Sequence, residues 1–152
     1  MVFLDPLKKK IFLDVHPTDK RGFFLSTFNQ DGVLISSRGL LETDKNIELL
    51  CQQLEKDLEK DFSQCFFLVG DLVTELRQEK NLEQLEMHSP KDVGIALYSS
   101  DTGETAVLLP STEGVADMKN ALFVIKKRHP HLTGKVQIFL FKTKRYTVSI
   151  PH

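Results

Sequence analysis

The stretch "DVGIALYSSDTGETAVLLPS", residues 92–111, contains two apolar runs separated by a polar segment. The runs at residues 93–99 and 105–110 have the length and composition of β-strands. Between them, residues 101–103 read Asp-Thr-Gly, the tripeptide that carries the catalytic carboxylate of aspartic proteases. In those enzymes the carboxylate shares a proton with its twin in a buried loop. Here Glu104 would place another negative charge beside it, so the pattern favours a turn between two strands.

Further strands are predicted on both sides of this hairpin, where short apolar or alternating runs are bounded by turn residues. They are a strand at residues 8–15, a hairpin at 21–39 that turns at 29–32, a buried central strand at 65–70 and a closing hairpin that turns at 142–145. The run at 65–70 is continuously apolar and too short for a helix, which is typical of a strand covered on both faces.

Helical segments are interleaved with these strands, because apolar residues recur there every three or four positions. They cover residues 44–61, a charge-rich segment at 72–86 and a segment that begins near Thr112 and ends before His129. In the first segment, Thr43 or Asp44 can accept hydrogen bonds from the free amides of the first turn.

Strands at both ends and in the middle, with helices between them, predict one α+β domain over residues 1–152. Its sheet is expected to be mostly antiparallel, with about six to eight strands packed against two or three helices.

The overall composition excludes several classes of function. The chain has 152 residues and a formal net charge of −1, so no strongly basic surface is expected to bind nucleic acid. No apolar stretch approaches the roughly 18 residues of a membrane span, and the first residues do not form a signal peptide. The two cysteines, Cys51 and Cys65, indicate no disulfide framework. We therefore expect a cytoplasmic protein with no nucleic-acid partner and no membrane partner.

The histidines and glycines do not form a recognisable metal or cofactor site. His129 and His131 flank a proline, and no third ligand lies near them in the sequence. The chain has neither a phosphate-binding glycine loop nor the motif of a nucleophile elbow. We therefore expect no metal and no cofactor.

A polar segment between the first hairpin and the first helix is the leading candidate for a binding site. It consists of Ser36, Ser37, Arg38 and Gly39. These residues are expected to form a turn whose backbone amides could receive an anion. On this hypothesis the domain binds an unknown protein or small molecule and has no catalytic activity.

Two other functions stay open at this point. An enzyme, either a hydrolase or a modification factor, would use His88 and the nearby carboxylate of Asp92, and it requires a concave pocket around the histidine. A structural or assembly protein would pair its phenylalanine-rich strands between chains. Phe23, Phe24 and Phe28 would then form an exposed patch instead of packing in the core.

Three segments carry a family resemblance: "RGFFLSTFNQDGVLISSRG" at residues 21–39, "LEQLEMHSPKD" at 82–92 and "VGIALYSSDTGETAVLLPS" at 93–111. In this order they resemble the AMME chromosomal-region (AMMECR-type) domain family. The resemblance implies an α+β domain without a well-defined reaction. Where that family has Leu-Arg-Gly-Cys-Ile-Gly, residues 34–39 read Leu-Ile-Ser-Ser-Arg-Gly, so the cysteine is absent. Residues 38–100 are also similar to the TPM domain, which runs helix, strand, helix, strand.

Overall fold

The computed structural model describes residues 4–132 and 134–151. This part of the chain contains four α-helices, which are α1 (Asp5–Ile11), α2 (Ile47–Leu58), α3 (Leu82–Glu86) and α4 (Met118–Arg128), and a 3-10 helix at Glu59–Gln64 that continues from α2. It also contains six strands, which are β1 (Phe23–Phe28), β2 (Leu34–Leu40), β3 (Phe67–Glu79), β4 (Gly94–Ser99), β5 (Thr105–Leu108) and β6 (Val136–Ser149).

The six strands form one sheet in the order β2-β1-β3-β6-β4-β5. β1 pairs antiparallel with β2 and with β3, and β4 pairs antiparallel with β5 and with β6. The α+β class and the antiparallel sheet predicted from the sequence are therefore confirmed. No described helix is long and apolar enough to cross a membrane.

The chain folds as two compact units. Unit 1 contains the residues up to Val73 and those from Lys144 onward, and unit 2 contains Thr74–Thr143. Because β3 and β6 are long, each contributes its residues to both units.

Each unit has its own hydrophobic core. In unit 1, residues of α1, α2, β1 and β3 bury a cluster that includes Leu7, Ile11, Phe23, Leu25, Leu50, Leu54 and Leu72. In unit 2, residues of β4, β5 and α4 bury a cluster that includes Val93, Ile95, Leu97, Leu108, Met118 and Ile125.

The strand predicted at residues 8–15 is wrong, because this region forms helix α1 and the loop that follows it. Leu4, Leu7 and Ile11 are all buried, and their three- and four-residue spacing places them on one helical face. A proline in the first turn and three lysines in the last turn also favour a helix, since they suit its free amides and its dipole. Helical packing therefore outweighs the alternation seen in the sequence.

The helix predicted at residues 72–86 is also wrong, because β3 continues to Glu79 and α3 supplies only five helical residues. Similarly, the closing hairpin predicted around residues 142–145 is a single strand, β6. In both places polar side chains alternate along an exposed part of a strand. Hydrogen bonds to neighbouring strands keep each segment extended, although its composition indicates a helix in the first case and a turn in the second.

Helices α2 and α4 are confirmed, but both begin later than predicted. The N-cap of α2 is Asn46, whose side chain accepts a hydrogen bond from the Leu49 amide, and neither Thr43 nor Asp44 has this role. The N-cap of α4 is Asp117. Gly114 has φ of +84°, a left-handed conformation that excludes a helix starting at Thr112.

Candidate functional site

Unit 2 contains an open cleft with a volume of about 260 Å³. Its lining combines charged and apolar side chains, namely Glu75, Arg77, His88, Val93, Leu140, Phe141 and Lys142. The volume lies just below the ~300–1,000 Å³ of typical small-molecule sites. The cleft therefore has room for a small molecule or for a single side chain of a larger partner.

Strands β3 and β6 supply the charged wall of the cleft. Glu75 and Arg77 are two residues apart on β3, so they project from the same face of the strand. Lys142 of β6 places its Nζ 3.6 Å from the Glu75 carboxylate, and both side chains are more than half exposed. An exposed pair of this kind contributes only about 0–1 kcal/mol to stability. The Lys142 ammonium can therefore turn toward a ligand at little cost.

His88 follows α3 and is held in place from both sides. At the start of α3, the Asn81 side chain caps the helix by accepting from the Glu83 amide, and the His88 amide donates to the Leu85 carbonyl. On the far side, Ser111 donates from its amide to the Pro90 carbonyl, at 2.9 Å, and from its hydroxyl to the Lys91 carbonyl, also at 2.9 Å.

Ser111 adopts a left-handed conformation, with φ of +59°. Residues other than glycine rarely occupy this region, and the backbone stays there only where the surrounding bonds hold it. The two hydrogen bonds from Ser111 therefore hold the backbone of the loop after His88 in place.

Arg77 and His88 are in direct contact at the cleft, with 2.7 Å between the Arg77 Nη2 and the His88 Nε2. A guanidinium has only donors, so the imidazole Nε2 must accept and the ring proton must lie on Nδ1. The guanidinium also lies 3.8 Å from the Glu79 carboxylate. In this arrangement Nε2 cannot take a proton from a substrate without first breaking its bond to Arg77.

Three apolar residues, Val93, Leu140 and Phe141, also line the cleft, and all three are almost fully buried. Gly94 pairs with Phe141 across β4 and β6, and a methyl group on Gly94 would lie 2.3 Å from a ring carbon. Glycine is therefore required at this position for the ring to lie against the β4 backbone.

The candidate site at Ser36, Ser37, Arg38 and Gly39 is not a turn, because all four residues belong to strand β2. The turn prediction was wrong, and both serine hydroxyls have partners across the hairpin instead. The Ser37 hydroxyl shares a hydrogen bond with the Ser26 hydroxyl, and the Ser36 hydroxyl shares one with the Thr27 hydroxyl.

Two further contacts make an anion site among these amides unfavourable. The Ser36 hydroxyl donates to the Asp61 carboxylate at 2.6 Å, so a negative charge already lies beside it. Gly39 packs tightly on β1, where a Cβ would lie 2.3 Å from the Phe23 carbonyl oxygen. Ser37 and Arg38 are exposed, and Ser36 and Gly39 are half-buried.

His88 lies in a concave site, but the structure does not bring Asp92 to it. Asp92 is exposed and is not part of the cleft lining. Its amide donates to the Ser89 carbonyl in the loop after His88. The charged residues that do surround His88 were missed, because Glu75 and Arg77 were assigned to a helix and Lys142 to a turn. The two-residue spacing of Glu75 and Arg77, which places both on one face of a strand, was the signal that could have identified these two.

The Asp-Thr-Gly tripeptide is a turn, as predicted. Gly103 has φ of +71° and its amide donates to the Ser99 carbonyl at 2.8 Å. The exposed phenylalanine patch does not form, since Phe23 and Phe24 are both buried. Any pairing between chains must therefore use other residues. Within the described ranges, no three His, Cys, Asp or Glu side chains are placed to hold a metal ion.

Comparison with known proteins gives a fold and no family. No protein-family model matches the chain, and no curated protein matches it. Among solved structures, the chain is similar to the uncharacterized protein PH0010 from Pyrococcus horikoshii, with a TM-score of 0.74 and 12% sequence identity. The similarity covers 99% of this chain and 92% of that one. At this identity, the similarity shows that the two proteins share a fold.

Proposed function

We propose that this chain is a binding module whose unit 2 cleft takes a small anion, with a carboxylate or phosphate as its charged group. The observation that carries this proposal is the contact between Arg77 and His88 in the cleft. The guanidinium, which is rich in donors, is held there 2.7 Å from the imidazole.

The charged wall suits an oxyanion. Arg77 has five N–H donors in a planar fork, which matches the geometry of a carboxylate or phosphate. Lys142 is tied only by its weak pair with Glu75. Both cations can therefore contact one bound anion, and the His88 Nδ1–H adds a neutral donor.

The buried apolar residues limit the rest of the ligand. Val93, Leu140 and Phe141 are 5%, 2% and 1% exposed, so they leave little apolar surface for a ligand to cover. We therefore expect the ligand to bind through its acid group at Arg77 and to carry only a small apolar part. The volume of about 260 Å³ favours one ring or a short chain over a nucleotide.

Binding is better supported than hydrolysis at this site. A hydrolase that used His88 as a base would need a free Nε2 and a carboxylate to orient the ring. Arg77 occupies Nε2, and Asp92 is outside the cleft. The same arrangement is well suited to holding an anion without reacting with it.

We further propose that the domain is AMMECR-like and cytoplasmic. The quoted segments with that resemblance form the β1–β2 hairpin, the α3 region that ends at His88, and the β4–β5 hairpin. Support for the location comes from Cys51 and Cys65, two buried thiols that form no disulfide. Cysteines outside disulfide bonds are usual in a reducing compartment.

A titration followed by amide NMR tests the cleft. Benzoate and phenyl phosphate, each at millimolar concentration, are expected to shift the amides of residues 75–79, 88–94 and 140–142, whereas neutral benzamide is not. Arg77→Met should weaken benzoate binding by about tenfold, which corresponds to about 1.4 kcal/mol. Arg128→Met, which removes an exposed arginine on α4, should leave it unchanged. Shifts that are absent, or equal in both variants, would contradict the proposal.

A further inference from the structure

Helix α4 concentrates positive charge in one element of the chain. Its eleven residues include four cations, Lys119, Lys126, Lys127 and Arg128, and no acid. The whole chain, in contrast, has a formal net charge of −1. Cations in the last turn favour the helix dipole, which accounts for three of the four. Lys119 lies in the first turn, where the dipole opposes it, so the charge of α4 exceeds what the helix itself needs.

Three large apolar side chains are exposed on α3, on α4 and at the residue that follows α3. Leu82 is 65% exposed, Met87 is 77% exposed and Phe123 is 64% exposed. They are all the large apolar side chains that the described part of unit 2 exposes. Single exposed apolar residues are normal, whereas a group of them marks a candidate interaction surface.

An ion pair brings these three side chains into one region. The Lys119 Nζ lies 3.6 Å from the Glu86 carboxylate, which joins α4 to α3. Met87 follows Glu86 directly in the chain. Leu82 and Phe123 each lie one helical turn from a member of the pair, about 6 Å along the helix axis. The three apolar side chains are therefore grouped around one contact between two packed helices.

Two lysines of α4 share the face of Phe123. Lys126 and Lys127 follow it by three and four residues, which makes them its neighbours on the helix surface. Both are exposed, and no described residue forms an ion pair or a hydrogen bond with either of them. An exposed aromatic ring thus lies beside two cations that are available to a partner.

We propose that Leu82, Met87, Phe123, Lys126 and Lys127 form a docking surface, the α3–α4 surface, for an acidic segment of another protein. That segment presents a large apolar side chain that covers Phe123, and carboxylates about 5–6 Å from it that pair with the two lysines. Charge complementarity selects an acidic partner, and the three apolar side chains select one that is also apolar. The proposal is independent of the unit 2 cleft, whose lining contains none of these five residues.

Glu86 makes a protein segment a better match than a nucleic acid or an anionic membrane. It adjoins Met87 and lies one turn from Leu82. Duplex DNA carries one charge per about 1.7 Å of its axis, so it would bring phosphates against this carboxylate. An anionic membrane would do the same, and it needs a broader apolar face than Phe123 alone gives α4. A protein segment can place an apolar or basic side chain there.

Selection of displayed peptides on the full chain tests the proposal. A random library of peptides of about twelve residues is long enough, because such a peptide spans the roughly 12 Å from Lys119 to Lys127 even as a helix. The enriched peptides are expected to carry a net negative charge together with at least one large aliphatic or aromatic residue. Fluorescence anisotropy then measures the dissociation constant of the most enriched peptide.

Charge reversal on α4 locates the binding. Lys126→Glu combined with Lys127→Glu should raise the dissociation constant at least about tenfold. Lys9→Glu combined with Lys20→Glu is the matched control, because it reverses two exposed lysines of unit 1 and should leave the constant unchanged. A peptide whose acids are exchanged for lysines should bind the variant with reversed α4 charges. A variant that had lost binding through misfolding would not recover in this way.

A second pair of variants tests the apolar contact. Phe123→Ser should raise the dissociation constant about tenfold. Leu13→Ser should leave it unchanged, since Leu13 is 85% exposed but lies in unit 1. Arg77→Met, which alters the unit 2 cleft, should also leave it unchanged. A peptide that depended on Arg77 would be a ligand of the cleft.

Enrichment of no peptide, or of peptides without an acidic excess, would overturn the proposal. So would acidic peptides that the α4 variants bind as tightly as the wild-type protein does, because another surface would then hold them. If single-stranded RNA or phosphatidylserine vesicles bind at Phe123, Lys126 and Lys127 and no acidic peptide does, the surface is one for polyanions and the proposal is overturned.

Discussion

Strands β3 and β6 form two ion pairs with each other, one in each unit, and the two pairs differ in burial and geometry. In unit 1, Asp71 of β3 is fully buried and Arg145 of β6 binds both of its carboxylate oxygens, at 3.0 and 3.3 Å. In unit 2, Glu75 of β3 and Lys142 of β6 are exposed and 3.6 Å apart. The Asp71–Arg145 pair is bidentate and its carboxylate is buried, so we assign it to the stability of the fold. The exposed pair borders a cleft and remains available to a ligand.

The sharpest test of this contrast removes the cation of each pair. Arg145→Met is expected to lower the free energy of unfolding by about 3 kcal/mol, because it removes the cation that binds a buried carboxylate. Lys142→Met should change it by no more than about 0.5 kcal/mol, as expected for an exposed charge. Urea denaturation of the two variants measures both effects. Equal losses would show that burial does not distinguish the pairs.

A second test fills the space that glycine leaves beneath the cleft. Gly94→Ala is expected to destabilise the protein by about 2 kcal/mol, because its methyl group would overlap the Phe141 ring and force it to move. Moving that ring should also weaken benzoate binding. Gly103→Ala is the control, since Gly103 lies in a turn with nothing within 4 Å of an added Cβ. Its left-handed strain should reduce stability without affecting benzoate.

The smallest expected effect concerns a second closed contact in unit 1. The Tyr146 hydroxyl donates to the Asp14 carboxylate at 2.6 Å. Tyr146→Phe is expected to lower the midpoint of thermal unfolding by about 3 °C. Tyr98→Phe, which alters a half-buried tyrosine of β4, should lower it less. A larger decrease in the midpoint for Tyr98→Phe would contradict the stabilising role that we assign to the Tyr146–Asp14 hydrogen bond in unit 1.

The hydrogen bond between Tyr146 and Asp14 also determines how the stability difference between wild type and Tyr146→Phe depends on pH. Hydrogen bonds from Lys144 and Tyr146 lower the pKa of Asp14, so its contribution is present above the ordinary value of 3.8 and is lost as pH falls through the lowered one. Burial and the Asp14 carboxylate raise the pKa of Tyr146 to about 12. Its contribution is therefore present below its ordinary value of 10 and is lost as pH rises toward about 12. Wild type and Tyr146→Phe should converge at both extremes.

The sequence was sufficient for the class of fold, because periodicity in well-buried elements is strong. The β1–β2 and β4–β5 hairpins and helices α2 and α4 all follow from apolar spacing and from turns rich in Asn, Asp and Gly. It was not sufficient where strands leave the core. Residues 74–79 and 142–145 are mostly polar and lie outside the core, and pairing to a neighbouring strand keeps them extended.

The candidate site was hidden by the same two errors. His88 was singled out from the sequence, but Arg77 and Lys142 lie in the segments that were predicted as a helix and a turn. These residues come close to His88 because strands that are far apart in the sequence are neighbours in the sheet. Local periodicity contains no information about such neighbours. The serines of β2 were misread for a related reason, since a polar segment on an edge strand resembles a loop.

Both cysteines of the chain lie in unit 1, and burial raises the pKa of the Cys51 thiol to about 11. A protonated, enclosed thiol reacts with alkylating reagents only after its surroundings open. The rate of alkylation therefore reports how often unit 1 opens transiently. The native cysteines are sufficient for this measurement, so no cysteine has to be introduced. Openings confined to Thr74–Thr143 are not expected to change the rate.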